Sequence, residues 1–454
     1  MKHDKLIIRA SKSLSLKHCM SKIEENHEGF VIVVNEDASV EGVLTDGDIR
    51  RAILAGSDIA ESAQPFLNRQ FLWSSEGESR ENALKCLDSK IRFLPILAQG
   101  KLVQVLTLND LQYRENGSIV VRAKAPARIS FGGGGTDLTP YFLEHGGAVL
   151  NATINMYSHV TLRRRDDNRK IRIRSHDYSL TVEVEDLDHL MYDGRLDLIK
   201  AGIKLLKPEF GFDLEIASDF SPSSGLGGSS VVLAAVIGCL NEVRCDRLSL
   251  YDIAELSFQA ERIELKCSGG WQDQYAAVFG GLNFMEFTKN RNEINTLRVS
   301  QDILFELEQR LILCHTGKAH PTNKIHEAQK TSMLHNAEIL GFAKETKELA
   351  YKMKSELLRG HVTKMGELLH TGWMLKRSFA NDISNPEIDS IYEFARGNGA
   401  AGGKILGAGG GGYFLFQSYR DSRRELSQAL EGRGLSVQDV TFDNLGLRSW
   451  PVRD

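Results

Sequence analysis

The sequence has few prolines and cysteines and no long apolar run. It contains 9 prolines and 6 cysteines in 454 residues, and the cysteines form neither a CxxC pair nor a spacing typical of metal sites. We therefore expect reduced, packed thiols rather than disulfides. The longest apolar stretch, near 231–240, is about half the length that a membrane-spanning helix needs. The first residues, MKHDKLIIRASKSLSLKHCM, lack the apolar core of a secretory signal, so we expect a cytoplasmic protein.

An excess of charge of one sign is also absent. The 56 basic side chains nearly balance 60 acidic ones, and the net charge is −4. This balance argues against a nucleic-acid-binding surface, and a hydrophobic content of 42% argues against disorder. The length predicts about three domains. Glycine is abundant, with 41 residues in the chain, and it clusters at 132–135, 225–228 and 397–412, where the backbone can approach a ligand closely.

Residues 1–115 contain an internal repeat. A shift of 62 positions places VLTDGDI at 43–49 on VLTLNDL at 105–111, with apolar, Thr and Asp positions in register. An apolar run precedes each copy, FVIVV at 30–34 and FLPIL at 93–97, and a helical pattern follows each copy. Each unit is therefore predicted as strand, turn, strand and helix.

This repeat resembles a pair of CBS domains. In that family, a Thr and an Asp at this spacing bind the ribose of an adenosine-type ligand. The resemblance implies an adenosine- or cytidine-type nucleotide at Thr45 with Asp48 and at Thr107 with Asp110. The alternative is that each Asp only caps a helix and the pair mediates dimerisation, so that a homodimer is the default expectation. The polar residues 115–118 are predicted as a linker.

Three glycine-rich segments follow the linker. The alternating apolar run at 118–131 leads into the glycines at 132–135, which predicts a strand followed by a loop. SPSSGLGGSS at 221–230 precedes an apolar helix, whose free N–H groups can bind phosphate oxygens. KILGAGGGGYFLF at 404–416 can close over the same ligand from the far side. Neither GxGxxG before a helix nor the Walker pattern GxxxxGK[ST] is present.

Two carboxylates lie between the second and third glycine segments. Glu261 is predicted on a helix and Asp273 in or after a turn. Two carboxylates near a phosphate loop favour a metal ligand and a general base. The simpler alternatives are that Asp273 caps a helix beginning at Gln274 and that Glu261 pairs with Arg262 or Lys266 on a solvated face.

The three segments in this order resemble the GHMP kinases, the superfamily of galactokinase, homoserine kinase, mevalonate kinase and phosphomevalonate kinase. The matching motifs are KAPARISFGGGGTD at 124–137, SPSSGLGGSS at 221–230 and ILGAGGGGYF at 405–414. The resemblance covers about 119–454 and implies ATP and Mg²⁺. Within the superfamily, RISFGGGGTDLTPYF followed by GGAVLNATIN is similar to the D-glycero-D-manno-heptose 7-phosphate kinases of bacterial surface-polysaccharide pathways.

The resemblance implies a role for each matching residue. Asp273 would accept the sugar hydroxyl proton, and Arg128 would stabilise the developing alkoxide and the transferring phosphoryl group. Ser229 and Glu261 would hold the metal. The loop around the ATP phosphates would be formed by Ser223, Ser224, Gly225, Leu226, Gly227, Gly228, Ser229 and Ser230. The sugar would be bound by Gly134, Gly135, Thr136, Asp137, Gly409, Gly410 and Gly411.

The implied fold is α+β and multidomain. It comprises a CBS pair at 1–115, an ATP-binding domain at 119–300 with a ribosomal S5 domain 2-like fold, and a ferredoxin-like domain at 301–454. The implied reaction transfers the γ-phosphoryl group of ATP to the anomeric hydroxyl of a heptose 7-phosphate, a small-molecule sugar phosphate. Galactose is disfavoured because Gly134 and Gly135 replace a Glu-His pair of galactokinase. Two alternatives remain open, a kinase for a free sugar such as L-fucose and a catalytically silent nucleotide or sugar sensor.

The segment around the histidines at 315, 320 and 326 is the last candidate. Their spacing fits no zinc site. HTGKAHPTNK is predicted as a strand end and loop near the substrate, with Lys318, His320 and Lys324 as candidate partners of a sugar phosphate. The residues from 323 to 379 have helical spacing and almost no helix breakers. They are predicted as two or three packed helices, with Trp373 and Met374 in the core.

Overall fold

The computed structural model describes residues 6–10, 14–78, 93–107, 119–165, 167–317 and 322–452. The chain divides into two compact units, Met1–Asn116 and Gly117–Asp454. The division falls within the segment that the sequence suggests as a linker. Residues 115–118 themselves lie outside the described part of the chain.

Two small sheets of the same design form the first unit, as far as its residues are described. In each sheet, the first strand is parallel to the second and the second is antiparallel to the third. The strands are β1 (Ile7–Arg9), β2 (Phe30–Val34) and β3 (Val40–Thr45), then β4 (Ser74–Ser75), β5 (Phe93–Ala98) and β6 (Lys101–Thr107). The helices are α1 (Leu16–Asn26) and α2 (Asp46–Leu54), with a 3₁₀ turn at Gln64–Phe66. The repeated strand pairs are confirmed, whereas the helix predicted after Asp110 lies outside the described residues.

The two sheets of the first unit meet through equivalent residues of the repeat. Phe30 and Phe93 begin β2 and β5 and pair with the aligned residues Thr45 and Thr107, and their rings stack with centroids 3.6 Å apart. Val43 and Val105, which the repeat aligns, belong to the same buried cluster. Contact between equivalent positions is typical of two copies related by an approximate twofold rotation. Each copy thereby buries the apolar face that it could not cover alone.

The second unit begins with a large mixed sheet. Its strands are β7 (Val120–Gly132), β8 (Gly147–Arg165), β9 (Ile171–Ser175), β10 (Leu180–Val184), β11 (Gly211–Ser218), β12 (Leu282–Phe287), β13 (Asn292–Thr296) and β18 (Arg448–Pro451). The order is β10-β9-β11-β8-β12-β13, and β7 pairs with both β8 and β18. The helices of this part are α3 (Thr139–His145), α4 (Asp197–Leu206), α5 (Gly228–Glu242), α6 (Leu250–Phe258), α7 (Gln272–Phe279) and α8 (Gln301–Arg310).

Helix α5 forms the centre of this core. Its residues from Val231 to Leu240 are almost all buried and apolar on every side, as expected of a helix that is enclosed rather than amphipathic. It packs on β7, β8 and the helices α4, α6 and α7. The sheet therefore fixes the first turn of α5, which carries the second glycine segment.

A second, antiparallel sheet follows along the chain. Its strands are β14 (Leu311–His315), β15 (Ala400–Ile405), β16 (Tyr413–Ser418) and β17 (Ser436–Asp439), in the order β15-β16-β14-β17. The helices are α9 (Thr322–His335), α10 (Ala337–Leu358), α11 (Val362–Arg377), α12 (Pro386–Gly397) and α13 (Arg423–Gly432), with a 3₁₀ turn at Asn381–Ile383. The succession strand, helices, strand, strand, helix, strand is that of a ferredoxin-like fold.

The helical segment of this domain agrees with the prediction. Three helices, α9 to α11, occupy the residues predicted as two or three. Trp373 is fully buried and contacts the rings of Tyr392 and Phe414, and Met374 packs against the same core. Both residues are therefore structural, as their helical spacing indicates.

Candidate active site

Arg128 and Asp273 form the centre of the site. The Arg128 Nε and Nη2 atoms donate to the two carboxylate oxygens of Asp273 at 2.7 and 2.8 Å. The Arg128 Nη1 atom donates to the carbonyl oxygen of Gly225, and the Arg128 N–H donates to that of Leu226. Arg128 follows a register shift in β7 and is only 3% exposed, which argues against a surface role. One guanidinium thus ties the expected base to the phosphate loop.

The environment of Asp273 keeps its carboxylate ionised. Burial alone would raise the pKa of Asp273, but the charge and hydrogen bonds of Arg128, aided by the charge of Arg262, outweigh burial and lower it. Asp273 is the second residue of α7 and its side chain faces Arg128, so it does not cap a helix beginning at Gln274. It can accept a hydrogen bond from a hydroxyl group, although its low pKa makes it a weak base.

The phosphate loop ends in an open helix N-terminus. Gly225 and Gly227 have φ of 82° and 77°, values that favour glycine. A Cβ on Gly227 would lie 3.3 Å from the Asp273 carboxyl carbon and 3.4 Å from the Arg128 guanidinium carbon. No side chain caps α5, and the buried hydroxyl of Ser224 has no hydrogen-bond partner among the described residues. Free N–H groups and an unpaired hydroxyl beside a glycine cradle fit the phosphates of ATP.

Glu261 is buried and is held by Ser230 rather than by Ser229. It lies in a π-helical turn, Gln259–Glu264, and is 1% exposed. Its Oε2 atom accepts hydrogen bonds from the Ser230 hydroxyl at 2.7 Å and from the Gln274 amide at 2.5 Å. The resemblance implies Ser229 and Glu261 as metal ligands, and in the structure the serine bonded to Glu261 is the next one, Ser230. Successive side chains on α5 point about 100° apart, and Ser229 is exposed.

These two residues fit a magnesium ion that is bound together with nucleotide phosphates. Mg²⁺ is usually held by one or two carboxylates and by substrate oxygens rather than by a cage of protein ligands. Glu261 supplies the carboxylate and Ser230 a hydroxyl. Within the described part of the chain, no group of three or more His, Cys, Asp or Glu side chains could hold a metal without a substrate. The neighbouring Arg262 lies 3.9 Å from Glu261, but burial excludes a solvated ion pair.

Asp137 and the first glycine loop form one wall of the site. Asp137 is 2% exposed and accepts hydrogen bonds from the N–H groups of Gly135 and Gln272, each at 3.1 Å. Burial, together with the charge of Asp273, raises the pKa of Asp137. Thr136 does not face the site, because its hydroxyl bonds the backbone of Gly133 and Ala148. The Thr136 side chain thus holds the loop, and its hydroxyl is already engaged by backbone groups rather than open to a sugar.

The third glycine segment packs against the phosphate loop. The Tyr413 N–H donates to the Ser224 carbonyl oxygen at 3.0 Å. A Cβ on Gly407 would lie 2.7 Å from the Gly225 Cα. Gly407 lines the pocket beside Asp273, whereas the expected substrate contacts Gly409 and Gly410 lie against Ile383. For Gly411, the structure records a positive φ of 158°.

The pocket contains residues that sequence reasoning missed. Gly134, Gly135, Asp137, Arg128 and Asp273 line it as expected. The further lining residues His326, Gln329, Lys376 and Lys404 come from α9, α11 and β15. Lys404 could have been found from the sequence, because it stands directly before the third glycine motif. For Lys376, which lies within a helix with a buried core face, the sequence carries no comparable signal.

Both lysines are buried. Lys376 is 7% exposed and donates to the carbonyl oxygens of Ile405 and Gly407. Lys404 is 4% exposed and donates to the Phe131 carbonyl oxygen at 3.4 Å. Burial, and then the charge of Lys404, lowers the pKa of Lys376 well below its ordinary value. Burial, and then the charge of Arg128, lowers the pKa of Lys404 to about 8.

Three buried polar atoms in the pocket lack partners among the described residues. They are the Ser130 hydroxyl, the Gln272 side-chain oxygen and the His326 Nδ1 atom. Burial, and then the charge of Arg262, lowers the pKa of His326 to about 4, so this imidazole is neutral at pH 7. Buried polar groups without partners are rare in native proteins and indicate a ligand with hydrogen-bonding groups.

The remaining sequence candidates have different outcomes. The Thr45 hydroxyl and the Asp48 carboxylate form a capping box at the start of α2, and Arg51 bonds the same carboxylate. Capping is therefore what the structure shows for Asp48. The Thr107 side chain, Asp110, Lys318, His320 and the Lys324 side chain lie outside the described residues. The described helices include none that is long and apolar enough to cross a bilayer.

Comparison with known proteins matches both units. The GHMP kinases N terminal domain matches residues 197–281, the GHMP kinases C terminal domain matches 353–433, and the CBS domain matches 6–55. D-glycero-alpha-D-manno-heptose 7-phosphate kinase of Campylobacter jejuni is 38% identical over 338 residues, which are 73% of this chain and 99% of that protein. The bifunctional fucokinase/GDP-fucose pyrophosphorylase of Arabidopsis thaliana is 27% identical over 329 residues, which are 68% of this chain and 31% of that protein.

Solved structures agree with this assignment. The crystal structure of a D-glycero-D-manno-heptose 1-phosphate kinase from Bacteroides thetaiotaomicron has a TM-score of 0.63 and 30% identity to this chain. The match covers 74% of this chain and 100% of that one. The matched domains, the sequence identity and the fold thus point to one family. The chain therefore belongs to the GHMP kinases, with a CBS domain before the two kinase domains.

Proposed function

We propose that the protein is an ATP-dependent sugar kinase that phosphorylates the anomeric hydroxyl of D-glycero-D-manno-heptose 7-phosphate. The observation that carries the proposal is the Arg128–Asp273 pair, in which Arg128 is buried beside the phosphate loop and both residues line a pocket with two lysines. The similarity to the Campylobacter jejuni enzyme, which extends over almost all of that enzyme, supports the sugar. A role in nucleotide-heptose and surface-polysaccharide synthesis is part of the same proposal.

The reaction is a direct in-line transfer. Asp273 orients the acceptor hydroxyl and accepts its proton as the bond to phosphorus forms. An anomeric hydroxyl is more acidic than an ordinary alcohol, so a carboxylate of low pKa is an adequate acceptor. Arg128 places positive charge beside the oxygen and the transferring group, and the N–H groups at the start of α5 hold the nucleotide phosphates.

A magnesium ion would be held by Glu261 and the Ser230 hydroxyl, together with the nucleotide. When bound, it neutralises charge on the phosphate oxygens. The protein's own contribution is to fix these two ligands, and Gln274 does so by donating to the Glu261 carboxylate. The π-helical turn at Gln259–Glu264 directs Glu261 inward, and such turns frequently occur at functional sites.

The pocket favours a phosphorylated acceptor over a free sugar. Arg128 and Asp273 neutralise each other, and burial raises the pKa of Asp137. The amines of Lys376 and Lys404 remain without a carboxylate partner among the described residues. An acceptor with its own negative charge would complement them, whereas a neutral hexose would not.

The test is an ADP-release assay with Mg-ATP and a panel of acceptors. The panel contains D-glycero-D-manno-heptose 7-phosphate, the free heptose, L-fucose, galactose and mannose. We expect turnover with the heptose 7-phosphate, and a loss of about 10²- to 10⁴-fold in kcat for Asp273→Asn. Asp302→Asn, an exposed change on α8, should leave kcat unchanged. Preferred turnover of L-fucose would favour the function named for the Arabidopsis thaliana relative, and no turnover with any sugar would favour a silent sensor.

A further inference from the structure

The two buried lysines have no role in the chemistry described above. Lys376 lies near the end of α11 and Lys404 lies on β15, and both side chains line the pocket that holds Asp273. Their partners among the described residues are backbone carbonyl oxygens. An ammonium group has three N–H donors. One donor of Lys376 and two donors of Lys404 therefore remain for a ligand.

Two lysine amines buried in the same pocket are unfavourable in the free protein. Buried cations are normally paired with carboxylates, since desolvation of an isolated charge is expensive. Here burial disfavours the charged form of each amine and lowers its pKa. The charge of Lys404 lowers the pKa of Lys376 further. An arrangement that is costly without a ligand is typical of a binding site rather than of a stabilising contact.

The nucleotide already has its own phosphate-binding groups. These are the N–H groups at the start of α5, the glycine loop at 225–228, and Arg128. The lysines belong to the C-terminal domain, and Lys376 bonds the carbonyl oxygen of Gly407, which packs against Gly225 of the phosphate loop. Three unpartnered polar atoms, on Ser130, Gln272 and His326, line the same pocket and provide further hydrogen-bonding groups.

We propose that Lys376 and Lys404 form a second phosphate-binding site, which takes the phosphate carried by the acceptor. A phosphate monoester presents three acceptor oxygens and close to two negative charges at neutral pH, which suits two ammonium groups with three free donors. This inference deepens the proposed function and rests on it for the identity of the sugar. The γ-phosphoryl group of ATP has the same chemistry and is the other possible source of the bound phosphate.

The test uses inorganic phosphate as the probe and the full-length protein. The phosphate loop is first saturated with Mg²⁺ and a non-hydrolysable ATP analogue, so that it cannot bind the probe. Phosphate is then titrated at constant ionic strength while the melting temperature is followed. The variants are Lys376→Met, Lys404→Met and Lys404→Gln. Lys364→Met, an exposed change on the same helix as Lys376, is the matched control.

We expect phosphate to raise the melting temperature of the wild type and of Lys364→Met. In the other variants the apparent Kd for phosphate should rise at least about tenfold, as expected for the loss of hydrogen bonds to a charged group. Among the described residues, Lys404 donates only a long hydrogen bond to the Phe131 carbonyl oxygen, at 3.4 Å, so the melting temperature of its variants without phosphate should stay close to that of the wild type. Phosphate binding to the wild type should also take up protons, a signature that a purely structural lysine would not give.

The outcomes separate the two phosphate sources and the two proposals. The titration is repeated without the ATP analogue. A phosphate effect that depends on the lysines but is seen only without the analogue would assign the lysines to the γ-phosphoryl group and overturn the acceptor site. An equal phosphate effect in the wild type and in all Lys→Met and Lys→Gln variants would overturn the inference. Lysine-dependent phosphate binding without turnover of heptose 7-phosphate would overturn the proposed function alone. For active enzyme, KM for heptose 7-phosphate should rise in Lys404→Met while KM for ATP stays constant.

Discussion

At the scale of single residues, Arg128 connects stability and catalysis. Arg128→Met leaves the partly buried Asp273 carboxylate without its partner. Breaking a fully buried pair costs about 3 to 5 kcal/mol, and because Asp273 is 20% exposed we expect the lower end of that range. The free energy of unfolding, measured with urea, should fall by about this amount, and kcat should fall with it. Arg128→Lys keeps the charge but not both hydrogen bonds. It should lose less stability, and an equal loss in the two variants would argue against the charge as the cause.

Lys404 should set the alkaline limit of activity. Its amine faces Arg128 on β7 and Lys376 on α11, with the carboxyl groups of Asp137 and Asp273 in the same pocket. Because its pKa is lowered to about 8, it is protonated below that pH and loses its charge above it. We therefore expect kcat/KM for the phosphorylated acceptor to fall as the pH rises through about 8. The pH profile of Lys404→Met should lack this limb, and an unchanged limb would contradict the assignment.

The residue scale also shows what a sequence can and cannot reveal. Arg128, Asp137, Glu261 and Asp273 could be predicted because each lies in or near a recognisable pattern. Lys376 could not, because its place in the pocket depends on how α11 packs, and a helical pattern does not show which polar residue is enclosed. Tertiary packing, not local chemistry, decides that question.

At the scale of elements, the first turn of α5 offers two serines as metal ligands, and we propose that Ser230 is the one that serves. Ser230 bonds Glu261, whereas Ser229 is exposed. Ser230→Ala should raise the Mg²⁺ concentration required for half-maximal rate and lower kcat, because it removes one oxygen ligand and a hydrogen bond to Glu261. Ser229→Ala is the matched control and should change either quantity far less. Both quantities are measured in an assay that varies Mg²⁺ at fixed ATP. A larger effect of Ser229→Ala than of Ser230→Ala would favour Ser229 as the metal ligand.

Most elements could be predicted, but not their local irregularities. The strand pairs of the first unit, the helix after the second glycine segment and the helices from 323 to 379 follow from periodicity. The π-helical turn at Gln259–Glu264 does not, because the sequence of this segment fits an ordinary helix equally well. The use of Thr136 to anchor a loop was also missed, since a hydroxyl next to a glycine loop suggests a ligand as readily as a backbone contact.

At the scale of the whole molecule, the first unit raises the question of regulation. The CBS domain match covers residues 6–55, and the structure shows the Thr45–Asp48 pair as a helix cap. We expect an adenosine- or cytidine-type nucleotide to bind this unit, raise the melting temperature and change kcat, since a ligand that couples two sites must do both. Asp48→Asn should weaken the effect. If saturating AMP, ATP and CTP leave both quantities unchanged, the regulatory role is excluded.

The central claim is transfer of phosphate to the anomeric hydroxyl of an already phosphorylated heptose. The most direct measurement is the ³¹P NMR spectrum of the product formed from heptose 7-phosphate and Mg-ATP. The account predicts a sugar with two phosphate signals, the new one coupled to the anomeric proton, and no such product with Asp273→Asn. A new phosphate at any other position, or a product formed only from an unphosphorylated sugar, would contradict it.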